Sequence, residues 1–77
     1  MGKDGKNESV VEAMSATGKV TAQELHVREQ PTTKGKEHPI TLKKGDEVHI
    51  MGLVDTWYLV EHAGVRGYSA KQYIEII

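Results

Sequence analysis

Residues 45–73 read GDEVHIMGLVDTWYLVEHAGVRGYSAKQY, and this stretch decides the fold class. Apolar and polar side chains alternate through most of it, which is the period of a half-buried β-strand. Glycines recur where the alternation breaks, and aromatic side chains gather near the last of them. The pattern predicts a small β-barrel with glycines at its corners. Aromatic side chains beside the turns of such a barrel favour ligand recognition over catalysis.

The length and composition restrict the chain to one small domain. A chain of 77 residues buries only about 60% of its unfolded surface, which is too little to enclose a deep catalytic cavity. Apolar residues make up 38% of the chain and charged residues 27%, as in an ordinary soluble domain. No apolar run approaches the roughly 20 residues that a membrane-spanning helix needs, so we expect no membrane span.

Charge and cysteine content exclude several classes of function. The formal net charge is -1, and a chain without a strong positive field does not collect nucleic acid, so we expect no nucleic-acid partner. The chain has no cysteine, which excludes disulfides, thiol catalysis and thiolate metal sites.

The chain divides into a polar N-terminal segment and a folded domain. Residues 1–17 have the composition of a linker, and we expect them to form a disordered linker or tag-like segment. Residues 18–77 carry the period of two and form the domain. Within it, residues 29–39 hold two prolines, a glycine and four charged side chains, which predicts a long mobile loop. Residues 52–56 are expected to form a turn.

The strands are short and closely spaced along the chain, which indicates that neighbouring strands run antiparallel. Five or six short strands joined by turns and loops form an antiparallel sheet, because parallel neighbours need long crossover connections. We therefore predict an all-β fold, a small antiparallel barrel. The residues expected in its core are Val20, Leu25, Val27, Ile40, Leu42, Val48, Ile50, Val60 and Ile74.

Six short segments follow one another in order along this domain. They are Val20-Thr21-Ala22, Leu25-His26-Val27-Arg28, Pro31-Thr32-Thr33, Leu42-Lys43-Lys44-Gly45, Trp57-Tyr58-Leu59-Val60 and Gly67-Tyr68. In this order they resemble the bacterial SH3-like (SH3b) domain, and the resemblance covers about three quarters of the chain. The resemblance implies an SH3-like barrel.

The resemblance also implies a function. Domains of this family bind cell-wall peptides and hold wall enzymes or surface proteins near peptidoglycan. We therefore expect a non-catalytic, monomeric wall-binding module whose partner is a stem or cross-bridge peptide of peptidoglycan. It would lie outside the cell or in the wall, as part of a larger exported protein, which is an enzyme in some members of the family. The alternative is a protein-interaction module that binds a proline-rich peptide or a neighbouring domain of its parent protein.

The chain departs from the family pattern at several positions. His26 stands where asparagine is common, and Ser69 stands where an inward valine is usual, which suggests looser packing of the last hairpin. Leu59 replaces a typical lysine beside Trp57. Together with Met51 and Leu53, Leu59 is expected to form an apolar strip on the outside of the barrel, although scattered surface side chains would look the same.

The aromatic side chains supply the candidate binding site. Tyr58 and Val60 take the core-facing positions of their strand, so Trp57 and Leu59 should face outward. An outward Trp57 is suited to stacking on a peptide, although it can also merely shield the end of the barrel. We predict a shallow groove lined by Trp57, Tyr68, Tyr73, Leu59, Glu29 and Thr32.

Metal and catalytic chemistry are not indicated by the remaining residues. None of the four histidines is spaced from another as metal ligands usually are, so we expect no metal site and no cofactor. If Ile50 lies opposite Val60 in a hairpin, His49 faces Glu61. The chain also has no nucleophile elbow, which argues against an autonomous enzyme.

Overall fold

A computed structural model gives the structure of the protein and describes residues 11–32 and 36–77. It confirms the all-β, antiparallel fold, with seven strands among the described residues where five or six were expected. The strands are β1 (Glu12–Val20), β2 (Glu24–Arg28), β3 (Glu37–Lys43), β4 (Glu47–Val54), β5 (Trp57–His62), β6 (Val65–Ala70) and β7 (Ile74–Ile76), with a 3₁₀ helix at Lys71–Tyr73 between β6 and β7.

The strands form one antiparallel sheet in the order β3-β2-β6-β5-β4-β1-β7. The sheet curls because β3, at one edge, is joined to β4 by residues 44–46 alone, although three strands lie between β3 and β4 in the order. The N–H of Gly45 donates to the carbonyl of Val20 at 2.8 Å, and the N–H of Val20 donates to the carbonyl of Asp46 at 2.9 Å. These bonds extend the ladder between β1 and β4 beyond Lys19 and Glu47 and anchor the turn between β3 and β4 to the end of β1.

Alternate side chains of the strands fill the interior of the barrel. All the residues expected in the core are buried except Ile40, whose side chain lies outside the described part of the structure. Tyr58 joins them and is 5% exposed. The residues of the core cluster are Val20, Leu25, Val27, Leu42, Val48, Ile50, Tyr58, Val60 and Ile74. Burial of each large side chain stabilises the fold by about 1.5–3 kcal/mol. Because these side chains fill the interior of the barrel, a ligand would bind on its outside.

Strand β1 corrects the predicted boundary between linker and domain. Residues 12–17, which were expected to be disordered, pair with β4, with Glu12 opposite Leu53 and Thr17 opposite His49. Along β1 the inward positions carry Met14, Ala16 and Gly18 before Val20. Because two of these residues are small, the period of two was hard to recognise in the sequence. Residues 1–10 lie outside the described part of the chain.

A β-bulge near Gly52 also corrects the predicted turn. The register between β4 and β5 shifts between Ile50 and Gly52, and the strand continues to Val54 instead of turning at Gly52. After the shift Leu53 packs against the core. The turn therefore consists of Asp55 and Thr56 alone, since the bulge lets both strands run on.

The expected loop at residues 29–39 is shorter than predicted. Strand β3 begins at Glu37, and the N–H of Glu29 donates to the carbonyl of Lys36 at 2.8 Å. Pairing with β2 therefore outweighs the turn-forming composition of residues 37–39, whereas residues 33–35 are outside the description. No helix in the described ranges is long and apolar enough to cross a membrane.

Candidate functional site

Trp57 is the first residue of β5 and lies on its outer side. Tyr58 and Val60, which alternate with it, are 5% and 0% exposed in the core. Trp57 and Leu59 are half-buried, so the predicted orientation of this strand is confirmed. Trp57 pairs with Ala70 at the end of β6, which places the indole beside the chain segment that leads into the 3₁₀ helix.

An open groove begins where β2 and β6 move apart. The ladder between these strands contains one pair, Arg28 opposite Tyr68, and beyond it β6 ends and turns into the 3₁₀ helix. The groove has a volume of about 740 Å³. Three parts of the chain line it: β2, the start of β5 with the turn before it, and the 3₁₀ helix with its flanking residues. The lining residues are Glu24, Leu25, His26, Arg28, Thr56, Trp57, Tyr58, Ala70, Lys71, Gln72, Tyr73 and Ile74.

Tyr73 supplies the second aromatic side chain at the rim of the groove. It lies on the 3₁₀ helix and is 41% exposed. Backbone bonds hold the helix in place: the N–H of Lys71 donates to the carbonyl of Thr56, and the N–H of Thr21 donates to the carbonyl of Tyr73, both at 2.9 Å. Trp57 and Tyr73 therefore reach the same groove from two elements that are joined by hydrogen bonds.

The opposite wall is the outer side of β2. Because Leu25 and Val27 point into the core, Glu24, His26 and Arg28 point outward. Glu37 of the neighbouring β3 binds two of them, with Oε2 at 3.2 Å from Arg28 Nη2 and Oε1 at 3.3 Å from His26 Nδ1.

The Glu37 contacts fix the shape of this wall more than they stabilise the fold. The side chain of Glu37 is 43% exposed, whereas that of Arg28 is only 16% exposed. Exposed ion pairs contribute about 0–1 kcal/mol. We therefore expect the pair to orient the Arg28 guanidinium along the groove without adding much to the free energy of unfolding.

The other predicted site residues are not among those that line the groove. Tyr68 and Leu59 face each other across β6 and β5 on the outer side of the sheet, next to the groove, and both are half-buried. Glu29 and Thr32 follow β2 on the far side of Arg28, where the N–H of Thr32 donates to the carbonyl of Gln30 at 2.8 Å. The groove thus unites Trp57 and Tyr73 from the predicted set, and Tyr68, Leu59, Glu29 and Thr32 lie outside its lining.

The expected apolar strip on the outside of the barrel has a different composition from the one predicted. Leu53 faces the core, because the bulge reverses its side of the strand. Leu59 lies opposite Gly52, and the side chain of Val11 occupies the space that a side chain at Gly52 would need. The N-terminal part of the chain therefore covers part of the strip, and Val11 is itself 38% exposed.

Several groove residues were not recognised from the sequence. Glu24, Lys71 and Gln72 are polar residues of a kind found on any surface, and nothing in their spacing distinguishes them. The alternation in β2 carries a usable signal, since it places Glu24, His26 and Arg28 on one side. β2 and the 3₁₀ helix lie close together because strands that are distant in the sequence pair with each other. No local sequence pattern reveals that pairing.

His49 takes the position that was expected for the hairpin. Ile50 lies opposite Val60 and His49 lies opposite Glu61. Nδ1 of His62 donates to the carbonyl of Glu47 at 3.0 Å. Within residues 11–32 and 36–77, no group of three or more histidine or acidic side chains is placed to hold a metal ion.

Comparison with known proteins identifies the family. A family model described as the bacterial SH3 domain matches residues 23–75. This range includes β2 to β6, the 3₁₀ helix and every residue that lines the groove, its aromatic rings among them. Searches of curated proteins and of solved structures found no match. The matched range begins after β1, so the strand that was hardest to predict lies outside it.

Proposed function

Because this chain belongs to the bacterial SH3 domain family, we propose that it binds an extended peptide of bacterial peptidoglycan in the groove between Trp57 and Tyr73. The family consists of non-catalytic binding domains, and the chain is a binding module in this general sense. The peptidoglycan peptide is the specific ligand that we propose.

One observation carries the proposal: Trp57 and Tyr73 line the same open groove. Both rings are partly exposed, whereas Tyr58 is buried in the core. Aromatic rings offer a large contact area and lose little conformational entropy when a ligand binds, so they are common anchors at recognition sites. A groove that is open to solvent accepts an extended chain better than a compact metabolite, which needs a concave cavity.

The polar residues of the groove suit the backbone of a peptide. Thr56 and Gln72 line the groove beside the two rings. A hydroxyl group and a side-chain amide can both donate and accept hydrogen bonds, so they match the alternating N–H and C=O groups of an extended peptide. The rings would then contact the side chains or the plane of the peptide bonds.

A single shallow groove of this kind binds weakly, because association must first overcome the loss of translational and rotational freedom. We propose that the module acts at the wall as part of a larger exported protein. Tethering raises the effective concentration of a second module or of an attached enzyme near its substrate, and it increases overall affinity without new contacts.

Sedimentation with purified sacculi tests the proposal. We expect the wild-type protein to pellet with sacculi and the Trp57→Ala variant to remain in solution. Ile76→Ala is the control, since Ile76 is 48% exposed and does not line the groove. Thermal unfolding of each variant establishes that it is folded. Equal pelleting of the wild type and a folded Trp57→Ala variant would show that the groove does not bind the wall.

The same pair of rings also favours a second candidate, a proline-rich peptide. Such peptides form a preorganised left-handed helix that packs into grooves lined by aromatic side chains. If the wild type does not pellet with sacculi, and a proline-rich peptide shifts the NMR signals of Trp57 and Tyr73, the module binds a proline-rich partner instead.

A further inference from the structure

We infer that the groove selects a peptide unit carrying both a free ammonium group and a free carboxylate, which bind Glu24 and Lys71 respectively. This inference rests on the proposed function and specifies the ligand further. It starts from the charged side chains that line the groove, which are Glu24, His26, Arg28 and Lys71.

Two of these side chains already have a partner within the protein. Arg28 and His26 both contact the carboxylate of Glu37, at 3.2 and 3.3 Å. The positive charge of Arg28 is therefore balanced from within the barrel. A ligand carboxylate approaching it would also meet the negative charge of Glu37, which lowers the gain from binding there.

Glu24 and Lys71 differ in this respect. Among the residues that the structure describes, neither side chain makes an ion pair or a hydrogen bond. Both are exposed, and both line the groove. Glu24 begins β2 on one wall, and Lys71 begins the 3₁₀ helix on the other. Lys43 lies opposite Glu24 on β3, but their side chains form no ion pair. The groove thus offers one negative and one positive charge that have no ion-pair partner among the described residues, next to its aromatic rings.

Opposite charges at the two walls favour a ligand with complementary charges. A ligand that carries an ammonium group alone or a carboxylate alone satisfies one wall and leaves the other charge without a partner. A ligand with both groups satisfies both walls, and its charges also fix the direction in which it lies. In a wall peptide, a diamino acid at the free end carries this combination of groups.

A synthetic peptide with defined charges provides the test. N-acetyl-L-alanyl-γ-D-isoglutaminyl-L-lysine has two charges at neutral pH, the lysine ammonium and the terminal carboxylate. Its ε-N-acetyl analogue lacks the ammonium charge, and its C-terminal amide lacks the carboxylate. Affinities of the wild type for these probes can be measured by NMR titration. We expect each blocked analogue to bind roughly 2- to 5-fold more weakly than the parent peptide, the effect of an exposed ion pair.

Substitutions in the groove assign each ligand charge to its wall. In Glu24→Gln the preference for the parent peptide over the ε-N-acetyl analogue should disappear, while the preference over the amide remains. In Lys71→Met the reverse is expected. Glu75→Gln and Lys19→Met are the matched controls, because Glu75 and Lys19 are exposed, pair with each other between β7 and β1, and do not line the groove.

The outcomes separate this inference from the proposed function. Equal binding of all the probes by the wild type, or unchanged preferences in both groove variants, would overturn the inference. So would pelleting with sacculi without binding of the parent peptide. In each case the loss of pelleting in Trp57→Ala would still support the proposed function. Pelleting that is independent of Trp57 would overturn the proposed function and the inference together.

Discussion

The hydroxyl group of Ser69 donates a hydrogen bond of 2.9 Å to the backbone carbonyl of His26. Ser69 is 0% exposed, and it follows Tyr68, which forms the single ladder pair between β6 and β2. The side-chain bond therefore joins the two strands where their backbone pairing stops. Since His26 lines the groove, the buried Ser69 helps to hold the β2 wall of the groove in place.

Removal of this hydroxyl should weaken the junction. We expect Ser69→Ala to lower the free energy of unfolding by about 1–2 kcal/mol, because it removes a hydrogen bond from a fully buried position. Urea unfolding measures the change, with Ser15→Ala as the control, since Ser15 is exposed on β1. Equal stability of Ser69→Ala and the wild type would show that the hydrogen bond contributes nothing net.

Gly18 is packed so closely that a methyl group cannot be added without displacement. A Cβ at this position would lie 2.5 Å from Cγ2 of Ile74 and 2.8 Å from Cδ1 of Ile50, and both isoleucines are buried. We expect Gly18→Ala to lower the free energy of unfolding by about 1–3 kcal/mol.

Gly52→Ala provides the comparison for Gly18. A Cβ there would meet the side chain of Val11, which is 38% exposed and can move aside, and would lie 3.3 Å from the backbone oxygen of Glu12, which a shift of a few tenths of an ångström relieves. We therefore expect a smaller loss in Gly52→Ala than in Gly18→Ala when both are unfolded in urea. The opposite order would mean that β1 resists displacement more than the core does.

The turn between β5 and β6 contains a strained residue. Ala63 has φ of 52° and Gly64 has φ of 80°, so both occupy the left-handed region. Asparagine adopts this conformation more readily than alanine, and we expect Ala63→Asn to raise the free energy of unfolding by roughly 0.5–1 kcal/mol.

Gly64→Ala, in the same turn, is expected to change the stability in the opposite direction. A Cβ at Gly64 would have no neighbour within 4 Å, so its effect comes from the backbone conformation alone. We expect it to lower the thermal midpoint, whereas Ala63→Asn raises it. A lower midpoint for Ala63→Asn would contradict the assignment of strain to this turn.

Tyr73 and Tyr68 form a matched pair for mapping the ligand site. Tyr73 lines the groove, whereas Tyr68 lies on the outer side of β6 beside it. We expect Tyr73→Ala to weaken binding of peptidoglycan fragments roughly 2- to 12-fold, the contribution of one aromatic contact. Tyr68→Ala should bind as the wild type does. Equal losses in the two folded variants would extend the site to Tyr68, as the sequence suggested.

The sequence predicted those features that depend on local alternation. The outward side of Trp57 followed from Tyr58 and Val60, and His49 lies opposite Glu61, as expected for a hairpin in which Ile50 pairs with Val60.

Features that depend on distant pairing were not predicted. Residues 12–17 are polar or small apart from Met14, and they form a strand because β4 provides partners 32 to 41 residues later (Thr17 with His49, Glu12 with Leu53). The separation of Tyr68 from the groove has a similar origin, since it depends on where β6 stops pairing with β2. Neither feature can be recognised from the neighbouring residues in the sequence.

The most direct measurement of the central claim is an NMR titration of the ¹⁵N-labelled protein with soluble peptidoglycan fragments. We predict the largest shifts at the indole N–H of Trp57 and at the amides of residues 71–73 and 24–26, which surround the groove. The amides of Lys19 and Glu75, on the paired strands β1 and β7 outside the groove, should stay unchanged. Shifts centred on those two strands, with Trp57 and Tyr73 unaffected, would contradict the account.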